Sequence, residues 1–211
     1  MNKRQVLAVG LAAMVGLSAL QVDGVIASAQ EVNSGGTTDT LHILADSSLE
    51  GSLAKYIPGV NNSGKATLHY EGKSLGFVDF DNANLLIKIP DEFKYIALQD
   101  EFLGAITGEI STPNGTKKIT PSDLKVFSDR VVVEFPKSFF IIQGKYKADV
   151  VLDFGKILKK YPNIPIDNAP SGYQFSSTLA FASSPWDIIE DPIFGSLSGD
   201  YTTNETEAIV K

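Results

Sequence analysis

Apolar and polar residues alternate along several short stretches of this chain. Between residues 173 and 182 every second side chain is apolar or small, and residues 146–154 repeat the pattern, with Asp149 and Asp153 on the polar side. A period of two places successive side chains on opposite faces of a β-strand. Gly and Pro residues separate these stretches, as they do where strands end. The pattern therefore predicts an all-β fold, specifically an antiparallel β-sandwich.

Further strands are predicted at residues 41–45, 66–71, 75–80, 84–89, 103–110 and 130–135. Gly72 separates two of them, and we expect it to form a turn. One to three short helices are also expected, at residues 47–56, 122–127 and 155–161. In the first of these, Leu49, Leu53 and Tyr56 recur at the spacing of one helical face. The sequence shows no strand–helix–strand alternation, so a parallel α/β sheet is not expected.

One phrase occurs twice, as NLLIKIPDEFKYI at residues 84–96 and as RVVVEFPKSFFII at residues 130–142. The offset is 136 − 90 = 46 residues, counted between the two prolines. Each copy predicts a strand that ends at its proline, because proline has no N–H for the sheet ladder. We expect Phe93 and Phe139 to return to the core after it. The copies are interpreted either as equivalent corners of two related half-sandwiches or as a coincidence of strand ends.

The first residues of the chain predict export. A positively charged start precedes an apolar run at residues 6–20, and Ala27 and Ala29 form a small-x-small cleavage signal, an order typical of a secretory signal peptide. The run is shorter than the roughly 20 apolar residues of a membrane span, and an uncleaved N-terminal anchor is the alternative. The predicted organisation is a signal peptide at residues 1–29, a flexible leader at 30–39, a single β-sandwich domain at 40–200 and a polar C-terminal tail at 201–211.

Composition narrows the class of protein further. The chain has no Cys, which excludes disulfide bonds, thiol catalysis and thiolate metal ligands. Its formal net charge of −7 and the lack of a basic run argue against nucleic acid and anionic membranes as partners. After the signal peptide no hydrophobic stretch is long enough to span a bilayer, so no integral membrane segment is expected after cleavage. Export without disulfides favours a Gram-positive bacterial source and a secreted, extracellular or loosely wall-associated protein.

The export signal, the cysteine-free β-rich body and the strand–proline corners together resemble the Ig-like β-sandwich domains of secreted and cell-surface adhesins of Gram-positive bacteria. The stretches that carry the resemblance are residues 84–96, 130–142 and 146–154. The resemblance implies a sandwich fold at the cell surface, and no functional residue of that family carries over to this chain. The sorting motif that usually ends such proteins is absent from the C-terminal residues.

The segment SSPWDIIEDPIFGS, residues 183–196, is the candidate binding surface. It combines apolar and aromatic side chains with acidic residues and prolines, and the prolines disfavour a regular central strand. The predicted binding residues are Trp186, Ile188, Ile189 and Phe194. They are interpreted either as a loop that caps the sandwich or as an exposed apolar lip, to which Trp supplies a large contact area and a polar N–H. Truncation of Trp186 to Ala separates the two, because only the cap would lose stability.

No catalytic residue, metal site or cofactor is predicted. Acidic pairs occur at residues 79/81, 91/92 and 100/101, but nothing in their spacing selects one pair for hydrolysis. Four side chains with oxygen atoms of the kind that Ca²⁺ prefers lie close together without the spacing of an EF-hand, namely Asp79, Asp81, Asn82 and Asn84. His42 and His69 lie in strand-like stretches, and two His ligands without a third make a poor zinc site. We expect these His residues to face solvent.

Two classes of function remain open from the sequence. The leading hypothesis is a secreted, non-catalytic binding or interaction module of a bacterial surface, which contacts a protein or glycan partner. The alternative is a secreted hydrolase that acts on carbohydrate or peptide. A component of a surface or toxin-like assembly is a third hypothesis, since exposed strand edges can pair with partners.

Overall fold

The computed structural model describes residues 43–80, 83–136, 138–181 and 199–210. These residues form ten β-strands, which are β1 (Ile43–Ala54), β2 (Lys65–Phe80), β3 (Ala83–Lys88), β4 (Ile106–Thr112), β5 (Gly115–Lys118), β6 (Leu124–Val126), β7 (Arg130–Phe135), β8 (Ser138–Leu152), β9 (Gln174–Phe181) and β10 (Gly199–Thr202). The strands lie in two five-stranded sheets. Sheet I has the order β1-β2-β8-β4-β5, and sheet II has the order β10-β9-β3-β7-β6. Neighbouring strands pair antiparallel throughout both sheets, as predicted.

The two sheets pack face to face around one hydrophobic core. Sheet I contributes Leu68, Tyr70 and Val150, and sheet II contributes Leu85 and Ile87, each no more than 1% exposed. Burial of an aliphatic side chain of this size is worth about 1.5–3 kcal/mol relative to its exposure. The residues between them on each strand point away from the core, so the period-two pattern marks the buried faces as predicted. The antiparallel β-sandwich is confirmed.

The two copies of the repeated phrase pair with each other. Strands β3 and β7 are antiparallel neighbours in sheet II, and Leu86 lies opposite Val132. Leu86 and Val132 occupy the same position in the two copies of the phrase, so a local two-fold axis passes between them. Because the two strands run in opposite directions, the prolines that end them lie at opposite ends of the sheet. The copies therefore belong to one sheet and not to two half-sandwiches. Phe93 is buried as predicted, whereas the side chain of Phe139 lies outside the described part of the chain.

Two predictions that concern the first two strands are wrong. Residues 47–56 do not form a helix, because β1 runs through most of them and pairs with β2. The spacing of Leu49 and Leu53 fits a strand as well as a helix, since four residues are two full periods of a strand. Gly72 does not form a turn but lies inside β2. A Cβ atom at this position would collide with the hydroxyl group of Tyr70, so the glycine makes room for a buried ring.

Short helical segments complete the fold, as predicted, but the prediction of a helix at residues 122–127 is wrong, because residues 124–126 form β6 and pair with β7. Two α-helices contact each other, α1 (Lys94–Ala97) and α2 (Phe154–Lys160), and 3-10 turns occur at Asp91–Phe93, Asp100–Ala105 and Pro121–Asp123. The ring of Phe93 packs edge-on against that of Phe154, with centroids 5.1 Å apart. In the part of the chain that the structure describes, no helix is long and apolar enough to cross a bilayer.

The residues after β10 pack against the sandwich. The backbone N–H of Tyr56 donates to the carbonyl of Ala208 at 2.7 Å, and the N–H of Val210 donates to the carbonyl of Tyr56 at 2.8 Å. Thr203 and Ala208 are buried. The predicted polar tail at residues 201–211 thus contains the end of β10 and a docked segment. This segment also accepts a hydrogen bond from the backbone N–H of Ala169 and so holds residues 169–172 in place.

Candidate binding cleft

A cleft of about 630 Å³ opens at one end of the outer face of sheet II. Its floor consists of side chains from three adjacent strands, β3, β9 and β10, namely Lys88, Gln174, Ser176, Asp200 and Thr202. They alternate along these strands with residues such as Ile87 and Phe175, which are buried in the core. The floor side chains therefore point away from the core.

Strand register arranges the floor side chains in two rows. Asp200 of β10 lies opposite Ser176 of β9, and Ser176 lies opposite Lys88 of β3. In the next row, Thr202 lies opposite Gln174. Because neighbouring strands are about 4.8 Å apart, the first row spans about 10 Å from Asp200 to Lys88. The floor thus has an acidic residue on one side and a basic residue on the other side of a hydroxyl-bearing strand.

One wall of the cleft is the segment that follows β3, where the chain leaves sheet II. It consists of Pro90, Asp91 and Glu92. Proline cannot continue the ladder, and the chain enters a 3-10 turn in which the N–H of Phe93 donates to the carbonyl of Pro90 at 2.9 Å. Phe93 fixes this turn from below, since it is 5% exposed and its ring packs edge-on against Tyr173 with centroids 5.2 Å apart. Core packing therefore holds the backbone that carries the two carboxylates.

Residues 169–172 form a second wall. The N–H of Gly172 donates to the carbonyl of Ala169 at 2.8 Å, and the N–H of Ala169 donates to the carbonyl of Thr206 at 2.9 Å. Gly172 has a φ of +85°, in the left-handed region that favours glycine, and a Cβ atom there would collide with the carbonyl oxygen of Thr203. Hydrogen bonds to the C-terminal segment and a glycine-specific backbone thus fix this wall.

The charged side chains of the cleft have no ion-pair partner in the part of the chain that the structure describes. Within the described residues, four of them make no side-chain hydrogen bond or ion pair, namely Lys88, Asp91, Glu92 and Asp200. The pKa of the nearby Asp129 carboxyl is lowered mainly by its hydrogen bond from Arg130, and the charge of Lys88 adds to this effect. The single positive charge of Lys88 does not balance the three negative charges of Asp91, Glu92 and Asp200, and part of its field falls on Asp129. The cleft is therefore a negative site.

Four neutral side chains of the cleft offer hydrogen bonds, and the lining residues that the structure describes present no exposed aromatic ring face. Those that make no side-chain hydrogen bond within the described residues are Ser171, Gln174, Ser176 and Thr202. The ring of Phe175 is 2% exposed and stacks in the core on that of Tyr201, with centroids 6.2 Å apart. Near the floor, the hydroxyl of Tyr173 donates to the carbonyl of Asp167 at 3.0 Å, and burial raises its pKa.

The residues that the sequence singled out have different outcomes. The predicted binding residues lie outside the described part of the chain, and their role stays a prediction; they are Trp186, Ile188, Ile189 and Phe194. Of the acidic pairs, Asp91 and Glu92 lie in the cleft. Glu101 instead pairs with Lys160. The side chains at positions 79, 81 and 82 also lie outside the description.

His69 faces solvent on sheet I as predicted, with its Nδ1 atom 2.5 Å from Oδ1 of Asp149. His42 lies outside the described residues. Asn84, which the sequence grouped with candidate Ca²⁺ ligands, is only 4% exposed in β3. Among the residues that the structure describes, no group of three His, Cys, Asp or Glu side chains is placed to hold a metal ion.

Sequence reasoning missed the floor of the cleft. Gln174 and Ser176 occupy the polar positions of the alternating stretch at 173–182, which predicts that they point outward but not that they form a site. Asp200 stood at the predicted end of the domain. Only the register of β10, β9 and β3 brings these residues beside Lys88.

No family model and no curated protein match the chain. Among solved structures, the partial N-terminal region of an enterococcal surface protein is similar over 86% of this chain and 48% of that chain, with 9% identity and a TM-score of 0.42. This chain thus spans about half the length of that structure. AvmM, which catalyses macrocyclization in alchivemycin A biosynthesis, is similar over 84% of this chain and 97% of that chain, with 8% identity and a TM-score of 0.38.

The collagen-binding domain from a Staphylococcus aureus adhesin is similar over 74% of this chain and 95% of that chain, with 6% identity and a TM-score of 0.33. Surface-protein and adhesin domains are thus among the structural neighbours, in agreement with the resemblance predicted from the sequence. All three TM-scores are below 0.5 and one neighbour is an enzyme. The similarity concerns the sandwich architecture and assigns no function.

Proposed function

We propose that this chain is a secreted, non-catalytic binding module that contacts a protein partner through the cleft on sheet II. The observation that carries the proposal is the lining of the cleft, in which polar and charged groups that have no side-chain partner among the described residues are held on three strands and two fixed turns. Such a surface binds at a low entropic cost, because its side chains stand on a backbone that is already ordered. The predicted signal peptide supports an extracellular partner.

The lining favours binding over hydrolysis. Asp91 and Asp200 are exposed, and Glu92 is half-buried. Glycoside hydrolysis needs one carboxyl group that stays protonated, which enzymes achieve by placing it in apolar surroundings. The two exposed carboxyl groups do not meet this requirement, and Glu92 is only half-buried. The described lining also contains no His that could activate Ser171 or Ser176 as a nucleophile.

A protein segment fits the cleft better than a glycan. Binding pockets for compact ligands are typically lined by apolar and aromatic side chains, and the described lining presents no ring face. An extended polypeptide carries a donor and an acceptor on every residue other than proline. These groups match the hydroxyl and amide groups of Ser176, Thr202 and Gln174, which point out of the floor.

Two variants test the proposal. The cleft variant carries Asp91→Asn, Glu92→Gln and Asp200→Asn. The matched sheet I variant carries Glu50→Gln, Glu109→Gln and Asp149→Asn, which removes the same number of carboxylates from one register row of the opposite outer face. Both are compared with the unmodified protein on an array of purified extracellular-matrix and bacterial-envelope proteins. Far-UV circular dichroism checks that all three proteins are folded.

We expect at least one arrayed protein to bind the unmodified chain and the sheet I variant equally. The cleft variant should bind it about 100-fold more weakly, since three lost contacts of about 0.9 kcal/mol each sum to about 2.7 kcal/mol. Equal binding by the cleft variant would refute the proposal. Hydrolysis of a glycan or peptide by the unmodified chain, lost in the cleft variant, would establish the hydrolase alternative instead.

A further inference from the structure

We propose that the cleft binds a basic, extended segment of its protein partner, with Lys or Arg side chains that reach the carboxylates of Asp91, Glu92 and Asp200. This inference rests on the proposed function and adds the chemical class of the ligand. It depends on the shape of the cleft, on polar groups that lack a side-chain partner among the described residues, and on the placement of the charges.

The shape of the cleft favours an extended segment. The floor is a pair of side-chain rows that cross β10, β9 and β3, and the two walls rise from residues 90–92 and 169–172. The cleft volume of about 630 Å³ is large enough for several residues of a polypeptide, and the cleft is partly open to solvent. An extended segment places every second side chain on one face. That face can point into the cleft while the other faces water.

The charges of the cleft select a cation. Three carboxylates and one ammonium group line it, and none of them has a side-chain hydrogen bond or ion pair within the described residues. A ligand that brings positive charge gains Coulomb energy with the unpaired carboxylates, whereas an anionic ligand meets three like charges. Arg presents several N–H donors in a planar fork that matches a carboxylate, and Lys presents three.

The carboxylates lie on both sides of the floor. Asp200 stands on β10, whereas Asp91 and Glu92 lie on the turn that follows β3, two strands away. Lys88 lies at the β3 end of the first row, on the strand that leads into this turn, and its charge also lowers the pKa of the neighbouring Asp129. A segment with two basic side chains on one face can therefore engage both sides at once. A single cation can engage only one side.

A nine-residue peptide that alternates Arg and Thr is the probe, and the same peptide with Gln in place of Arg is its control. Binding of each peptide to the unmodified chain, the cleft variant and the sheet I variant is measured by isothermal titration calorimetry at low and at physiological salt. The sheet I variant has the same net charge as the cleft variant. It therefore separates a built site from the general attraction of an acidic protein for a cationic peptide.

We expect the Arg peptide to bind the unmodified chain and the sheet I variant with the same affinity, and the cleft variant at least tenfold more weakly. The Gln peptide should bind none of them measurably, and salt should weaken the Arg complex. Equal affinity for the two variants, or no binding of the Arg peptide, would overturn the inference. If an arrayed protein still binds through the cleft in that case, the proposed function stands and only the ligand class is wrong.

Discussion

The outer faces of the two sheets use their polar residues differently. On sheet I several charges pair across strands, as Glu71 does with Lys147 at 2.8 Å and His69 with Asp149, whereas Glu50 and Glu109 make no ion pair within the described residues. On sheet II the outer face contains a buried apolar residue, Val132, and next to it the half-buried Leu86. At one end of the same face lies the cleft, whose charges have no partner within the described residues.

The difference shows where this sandwich presents binding energy. A face whose charges are already paired gains little from a new partner, because each new contact must replace an existing one. A face with unpaired charges and hydrogen-bonding groups on a fixed backbone gains from every complementary contact. The comparison therefore supports sheet II as the interacting face and sheet I as a solvated face.

The largest expected effect concerns the wall of the cleft at residues 169–172. Gly172→Ala should lower the free energy of unfolding by about 3 kcal/mol, because its φ is strained for alanine and its Cβ would meet the carbonyl of Thr203. Gly104→Ala is the control, since nothing lies within 4 Å of a Cβ at that position. Urea denaturation measures both. Equal stability of the two variants would mean that this wall is not fixed by its backbone.

A smaller effect on stability is expected to differ between the two outer faces when an outward-pointing valine is truncated. Val132→Ala should cost about 2 kcal/mol, because the side chain is only 2% exposed. Val151 also points outward, but from sheet I, and is only half-buried. Val151→Ala should therefore cost less than about 1 kcal/mol. Thermal and urea denaturation give both values, and a cost for Val151→Ala as large as that for Val132→Ala would break the comparison.

The smallest effect tests the paired charges of sheet I. The hydrogen bond from Lys147 lowers the pKa of Glu71 in the folded protein. A lowered folded-state pKa stabilises the fold above the unfolded value of about 4.3, and this stabilisation disappears as pH falls through the folded value. Glu71→Gln should therefore lose less stability than the unmodified chain between neutral and acidic pH. The difference should be below about 0.5 kcal/mol, because the pair is partly exposed.

Urea denaturation at neutral pH and near pH 3 measures the effect of Glu71→Gln. Glu50→Gln is the control, because Glu50 is exposed on the same face and makes no ion pair within the described residues. An effect of Glu71→Gln well above 1 kcal/mol would mean that the ion pairs of sheet I are structural. The outer face of sheet I would then contribute to the stability of the fold through its ion pairs.

Local pattern was sufficient for much of the fold. The alternation at residues 146–154 and 173–182 corresponds to the second half of β8 and to β9, because a face buried against a second sheet requires a period of two. The same rule failed at Leu49 and Leu53, whose spacing is shared by helices and strands. It also failed at Gly72, where the glycine makes room for a neighbouring ring and does not reverse the chain.

The cleft could be predicted only in fragments. The sequence marks Asp91 and Glu92 as an acidic pair after a strand-ending proline, but gives no reason to prefer them to Asp100 and Glu101. The floor depends on which strands become neighbours, and Asp200 reaches Ser176 only through the pairing of β10 with β9. Pairing between distant strands is a property of the whole core. Patterns within a short window therefore do not contain it.

The most direct measurement is a set of amide chemical-shift changes in ¹⁵N-labelled protein titrated with the partner that the array identifies. Binding through the cleft predicts that the largest changes fall at residues 88–92, 169–176 and 200–202, while residues 67–71 and 145–151 of sheet I stay nearly unchanged. Changes concentrated on sheet I, or spread evenly over both faces, would contradict the assignment of the cleft as the binding site.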